Sequence, residues 1–228
     1  MARPRKEVGR TRLPSDAQRS WEKSYSETGY QRLPWFSPKP SPWVVSAVED
    51  RWLKRGSAVL DVGCGAGTNV LWLGSHGFRA TGVDVAPSAV RAAISRAVRA
   101  RVSVHFQAAD ALALPFARGT FTAGMDSGCF HTLPTRLREP YAREIARVLH
   151  PASPFLLTWV PREETRKFGP PHRPSVEEVA SVFEPYFVIE ATQLDMPRSR
   201  GAWKTPRVSL ARCTARLIRR RGRQPLPR

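Results

Sequence analysis

Along the middle of the chain, short apolar runs ending in or near an acidic residue alternate with stretches whose apolar residues return at helical spacing. Ala58 to Asp61 is the first run, and a helix is predicted from about Thr68 to Ser75, closed by the C-cap signal His76-Gly77. Phe78 to Asp84 is the second, and Pro87, harmless in a first helical turn, opens a helix to about Val98. Val102 to Phe106 reads as a third strand that reaches Asp110 through a short connection. Thr120 to Asp126 reads as a fourth, followed by a loop and a helix from about Thr135 to Leu149. A fifth run, Phe155 to Val160, follows a proline-rich turn. Strands alternating with helices in this way need crossover connections and predict a mostly parallel sheet.

The last third changes character. Ser175, followed by Glu177 and Glu178, is a capping residue for a helix to about Phe183. Phe187 to Leu194 and Val208 to Ile218 read as two further strands. The expected architecture is thus α/β, with a seven-stranded, mostly parallel sheet and an antiparallel C-terminal hairpin at its edge. Before Ser41, the aromatics Trp21, Tyr25, Tyr30, Trp35 and Phe36 stand among prolines and read as an ordered arm. The division expected is an arm over residues 1–40, one domain over 41–220 and a basic, disordered tail over 221–228.

Composition narrows the class. With 228 residues and 41% apolar content, the chain can build one sizeable core. No apolar run approaches the roughly 20 residues that span a bilayer. The first twenty residues are basic without an apolar stretch, so no secretory leader and a cytoplasmic location are expected. Three cysteines, Cys64, Cys129 and Cys213, have no metal-ligand spacing, and no metal site is indicated. The net charge of +18 is uneven: Arg198 to Arg228 holds eleven Arg or Lys and no acid. Basic solvated termini are the favoured reading of that charge, with nucleic acid as the alternative partner. The oligomeric state is left open.

Candidate chemistry sits at the strand ends. In Asp61-Val62-Gly63-Cys64-Gly65-Ala66-Gly67, glycines let the backbone turn sharply and approach a ligand closely. Parallel strands carry Asp61, Asp84, Asp110 and Asp126 to one rim, so the four acids can share a crevice. Asp84 lies 23 positions after Asp61, where a carboxylate can accept both hydroxyls of a ribose. The competing reading, an aspartate that only caps the next helix, fits this spacing less well. A dinucleotide is disfavoured, because Gly67 falls one position too early for a Gly-x-Gly-x-x-Gly fingerprint.

These residues resemble the class I S-adenosylmethionine-dependent methyltransferases. Asp61 to Gly67 looks like the first motif of that family, Gly82-Val83-Asp84 the second, Ala109-Asp110-Ala111 the third and Asp126 to His131 the fourth. The fourth motif, with Trp21-Glu22-Lys23-Ser24-Tyr25 and Leu33-Pro34-Trp35, is similar to the branch of thiopurine and tellurite-resistance methyltransferases. The resemblance implies a Rossmann-like three-layer sandwich with S-adenosylmethionine as cofactor. It implies that Gly63 and Gly65 pass the methionine part, that groups near Asp61 hold its amino end, and that Asp84 takes the ribose. Asp110 would bond the adenine amino group and the Ala111 N–H a ring nitrogen. Cys64, Val85, Asp126 and Ser127 fall beside these positions as further cofactor contacts. Trp21, Tyr25 and Trp35 would cover the crevice, unless they only pack the arm on the sheet.

A methyl group on a sulfonium is already activated, so the protein mainly aligns the acceptor and excludes water. Asp126 and His131 are the candidate bases for a neutral acceptor, histidine as a residue type having an unperturbed pKa near ~6.5. A thiol needs none, and the competing role for His131 is loop packing. Cys129 lacks the preceding proline of cytosine methyltransferases, and the fourth motif lacks the prolines of nucleobase amino methyltransferases. The expected activity is methyl transfer to a small molecule, a thiol or similar nucleophile being favoured. The alternative is a nucleic-acid-associated methyltransferase or binding protein using the basic C-terminal segment.

Overall fold

The computed structural model describes residues 11–162, 170–194 and 213–219, with 193–194 and 213–219 described by their backbone only. Five parallel strands form the centre of one sheet: β1 (Ala58–Val62), β2 (Arg79–Asp84), β3 (His105–Ala108), β4 (Ala123–Ser127) and β5 (Pro154–Trp159). Beyond β5 the order continues through β7 (Cys213–Arg219) to β6 (Phe187–Leu194), and β7 runs antiparallel to both neighbours. The expected strand start at Val208 and the tail from Arg221 lie outside the described residues.

Helices cover both faces: α1 (Ser15–Thr28), α2 (Pro42–Glu49), α3 (Thr68–Ser75), α4 (Pro87–Ala100), α5 (Thr135–Val148) and α6 (Val176–Phe183). Alternation along β1 sends Val59 to one face and Leu60 and Val62 to the other. Val59, Met125 and Leu156 pack with Trp43 and Val44 of α2, Val70 and Leu73 of α3, and Val90 and Ala93 of α4. Leu60, Val62, Phe155 and Leu157 pack with Tyr141 and Ile145 of α5 and Val179 and Phe183 of α6. The result is three layers. Within the second core, Phe130, Tyr141, Phe155, Phe183 and Phe187 form a chain of ring contacts, with Phe130 and Phe183 5.2 Å apart.

Two elements depart from the sequence reading. The arm contains α1, a helix with no fully buried residue, whose apolar face is limited to Ala17, Trp21 and Tyr25. The third strand begins at His105 rather than Val102, because α4 runs on to Ala100 and Arg101 turns left-handed (φ 55°) to end it. The glycine-free turn after α5 is closed by Ala152 in the left-handed region, φ 64°.

The chain leaves β1 towards β2 and β3, then returns to set β4 on the other side of β1. That reversal opens a crevice at the carboxyl ends of β1 and β4, the place where such sheets bind ligands. Register brings the acids to it: Val62 pairs with both Val83 and Asp126, and Asp84 pairs with Ala108.

Candidate active site

The turn after β1 is built from left-handed residues. Gly63, Gly65 and Gly67 have φ of 71°, 53° and 77°, conformations costly for residues with a Cβ. Space excludes one as well: a Cβ at Gly63 would stand 2.5 Å from Cys129 Cβ, and one at Gly65 would stand 2.7 Å from the Tyr25 hydroxyl. The N–H groups of Gly63 and Cys64 both donate to Val83 O, at 2.8 and 2.9 Å. The turn is thereby tied to β2.

Asp84 ties it a second time. Its Oδ2 accepts the Gly65 N–H at 2.9 Å and its Oδ1 the Ala86 N–H at 3.0 Å. Neither bond reaches an N–H inside α4, whose Ser88 N–H goes to Glu22 instead, so Asp84 does not act as the cap of that helix. Burial raises its pKa, with the hydrogen bonds from Ala86, Gly65 and Val85 offsetting part of the rise. These three bonds leave one of the carboxylate's roughly four acceptor positions for a ligand hydroxyl.

Asp61 is 2% exposed, and its Oδ2 has no hydrogen-bond partner among the described residues. Burial first, then the charges of Asp126 and Asp84, hold its carboxyl well above the usual range, and a hydrogen bond from Asn69 offsets this in part. An orphaned buried carboxylate oxygen among like charges is a site for a cation. Ser127 Oγ, at the end of β4, is also buried without a partner among the described residues.

Asp110 marks a cleft of about 320 Å³ lined by Arg12, Gln18, Val85, Gln107, Ala109 and neighbouring residues. Its Oδ1 accepts the Leu112 N–H at 2.9 Å and its Oδ2 the Leu13 N–H at 2.7 Å. Ala111 lies at the base of the same loop, partly buried against the core. The arm thus reaches the carboxylate that the sequence assigns to adenine.

The arm then crosses the crevice. Glu22 accepts the Ser88 N–H at 2.9 Å at the start of α4, and Trp35 Nε1 donates to the Tyr25 hydroxyl at 3.0 Å. Trp21 and Trp35 meet edge to face with centroids 5.5 Å apart. Trp35 is 46% exposed, whereas Trp21 and Tyr25 are partly buried. Tyr25 stands over Gly65.

The two candidate bases are arranged against that role. Asp126 is fully buried and accepts four hydrogen bonds: from Gly128 N at 2.8 Å, Cys129 N at 2.7 Å, Phe130 N at 2.8 Å and the Tyr141 hydroxyl at 2.6 Å. Burial pushes its pKa up to about 6 against these bonds. With every lone pair engaged it shapes the loop after β4 and has no capacity left to take an acceptor's proton. His131 Nδ1 accepts the Val160 N–H at 2.9 Å. That bond fixes the neutral ring with its proton on Nε2, so the nitrogen that would act as a base is already engaged. Burial, and then the charges of Asp126 and Asp84, push the Cys129 thiol well up, away from a thiolate. Cys64 is similarly raised, chiefly by burial, and its Sγ packs beneath Gly82.

Sequence reasoning missed Leu13, Asn69 and Tyr141. Leu13 and Tyr141 act on acids 97 and 15 positions away and carry no local mark, while Asn69 lies just past the glycine turn that it serves.

A methyltransferase-domain family model matches residues 59–152. The chain is 29% identical over 187 residues to the 2-heptyl-1-hydroxyquinolin-4(1H)-one methyltransferase of Mycobacteroides abscessus, covering 78% of this chain and 80% of that protein. It is 31% identical over 99 residues to an uncharacterised methyltransferase of Schizosaccharomyces pombe, covering 43% of this chain and 68% of the relative. It is 28% identical over 170 residues to thiopurine S-methyltransferase of Pseudomonas fluorescens, with 68% and 78% covered. A protein solved in a study of the conversion of a disulfide bond into a thioacetal group during echinomycin biosynthesis shares the fold at TM-score 0.77 and 21% identity, over 90% of this chain and 92% of that one. Magnesium protoporphyrin IX methyltransferase from Synechocystis, solved with SAH bound, does so at TM-score 0.68 and 15% identity, over 89% and 99%. The strand-end acids, the glycine turn and these matches together place the chain among the class I S-adenosylmethionine-dependent methyltransferases.

Proposed function

We propose that this methyltransferase acts on a small-molecule acceptor that ionises unaided near neutral pH, a thiol or an N-hydroxyl on a heteroaromatic ring. One observation carries the reading: Asp126 takes four hydrogen bonds and His131 Nδ1 takes the Val160 N–H, so neither candidate base has an engaged-free position for the acceptor's proton. An acceptor that arrives as its anion has no proton to lose. S-adenosylmethionine, when bound, supplies a methyl group on a positively charged sulfur that departs as a neutral thioether. The chain's own part is then alignment and exclusion of water.

The residues present fit that cofactor. Asp61, with its orphaned oxygen, would hold the ammonium group, beside Gly63, Cys64 and Gly65. Asp84 would take a ribose hydroxyl on its remaining acceptor position, and Val85 and Asp110, which line the cleft, would border the adenine together with Ala111. Ser127 would meet the methionine end, and Trp21, Tyr25 and Trp35 would close over it. Asp126 supports this wall by fixing the loop rather than by touching the ligand. The names of two relatives agree with the acceptor class, since thiopurine S-methyltransferase acts on a thiopurine and the M. abscessus protein on a hydroxyquinolinone. The nucleic-acid alternative draws no support from the comparisons.

The test is a panel. The chain is incubated with S-adenosylmethionine and 2-heptyl-1-hydroxyquinolin-4(1H)-one, a thiopurine, a neutral aliphatic alcohol and an aliphatic amine, and products are read by mass spectrometry. Methylation confined to the acidic heteroaromatics is expected. Turnover of the alcohol or amine with neither acidic acceptor touched would overturn the reading.

A further inference from the structure

We propose that Arg96, on α4, is a positioning residue for the cofactor that joins the glycine turn to the N-terminal arm. Its Nη1 donates to Ala66 O at 2.5 Å and to Thr68 Oγ1 at 2.9 Å, while Thr68 Oγ1 donates to Ser37 O at 2.8 Å. The guanidinium carbon lies 5.6 Å from the centroid of the Tyr30 ring and 5.3 Å from that of Phe36, and those rings meet edge to face at 5.0 Å. No carboxylate stands among these contacts. Two oxygens of the turn region and two aromatic faces of the arm receive the charge.

Only a guanidinium can do both jobs at once. It donates in its plane and stacks through its faces, whereas an ammonium is a compact, strongly hydrated point charge. The turn has need of it. Ala66 sits between Gly65 and Gly67, both left-handed, where no helix or strand ladder holds the backbone. Asp84 grips the Gly65 N–H from one side, and Arg96 grips the Ala66 carbonyl from the other. The rings that stack on Arg96 flank Trp35, which contacts Trp21 and Tyr25 above Gly65. Lifting the arm therefore parts the Arg96 stack and loosens the turn beneath the ligand. Cofactor binding and arm closure become linked equilibria, each favouring the other.

The inference concerns the cofactor alone, so the acceptor reading can fail while this one stands. S-adenosylhomocysteine binding is measured by calorimetry for the wild type, Arg96→Ala, Arg96→Lys, Phe36→Ala and the double variant Arg96→Ala/Phe36→Ala. Trypsin cleavage after the exposed Arg32 is followed with and without S-adenosylhomocysteine. Arg96→Ala is expected to weaken binding about tenfold or more, from loss of charge-assisted hydrogen bonds. Arg96→Lys is expected to recover only part of it. Phe36→Ala is expected to weaken binding on its own yet add less than about twofold to Arg96→Ala, because coupled groups are not additive. S-adenosylhomocysteine should protect Arg32 in the wild type and not in Arg96→Ala. Binding by Arg96→Ala within about twofold of wild type, strict additivity of the pair, or undiminished protection would each overturn the proposal. If Arg96→Ala does not fold, Arg96→Lys with wild-type affinity and protection overturns it in the same way.

Discussion

Replacing Asp61 with asparagine should stabilise the ligand-free protein at neutral pH and weaken its cofactor site, two effects of opposite sign from one oxygen. The carboxyl is buried, Oδ2 has no partner among the described residues, and Asp126 and Asp84 add like charge. Its folded pKa is raised above the unfolded value near ~3.9, so its contribution favours folding below that pH and is lost as pH rises through the folded pKa. Asp61→Asn removes the charge and so removes this loss. Leaving a buried acceptor unsatisfied costs about 1–3 kcal/mol, and for a chain of this size about 1 kcal/mol moves Tm by about 2–4 °C. A rise in Tm of about 2–12 °C is therefore expected at pH 7.5, shrinking towards zero near pH 4. Binding should move the other way: a hydrogen bond between charged groups contributes about 1.5–3 kcal/mol, so the Kd for S-adenosylhomocysteine should rise about 10- to 150-fold. Thermal denaturation at the two pH values and calorimetry at pH 7.5 read both effects. A variant destabilised equally at both pH values, or one that binds S-adenosylhomocysteine as tightly as wild type, would refute the reasoning.

Asp126→Asn should lower stability by about 2 kcal/mol or more, because an amide cannot accept from all four donors; its folded pKa of about 6 lies above the unfolded one, so wild type loses stability from pH 4 to 7 and the variant does not. The gap between the two, read by denaturant unfolding, should narrow as pH rises. Asp84→Ala should cost about 1–3 kcal/mol of cofactor affinity, since it removes a ribose acceptor and frees the Gly65 N–H; calorimetry with an unchanged Kd would contradict this. Ala152→Gly relieves a left-handed residue, φ 64°, and should raise Tm by a few degrees, corresponding to about 1 kcal/mol.

What could be read from the amino acids follows from what physical chemistry makes local. The turn from Asp61 to Gly67 and the helix Thr68–Ser75 carry their signals within a dozen positions, and both stand where expected. α1 was hard to read as a helix because every side chain in it is at least partly exposed and its face-forming apolar residues, Ala17, Trp21 and Tyr25, are few among polar ones. Val102 and Val104 suggested a strand by their β-branching, yet both pack on Gly74 of α3 as loop residues. The harder failure concerns Asp126. An aspartate at a strand end can serve a ligand or gather the N–H groups that follow it, and its own sequence neighbourhood is the same in both cases. The Tyr141 hydroxyl, supplied from fifteen residues away, uses the last acceptor position. Such a distant partner leaves no trace in a motif. His131 is alike, because only the fold brings the Val160 N–H to its Nδ1.

The central claim is that methyl transfer here needs no protein base, and a pH–rate profile tests it most directly. Single-turnover rates with saturating S-adenosylmethionine are measured from pH 4.5 to 9 for two acceptors whose own pKa values differ by about two units. The account predicts a midpoint that moves with the acceptor, each profile following the fraction of anion present. A midpoint fixed for both acceptors, and shifted or abolished in His131→Gln or Asp126→Asn, would show a base on the protein and contradict it.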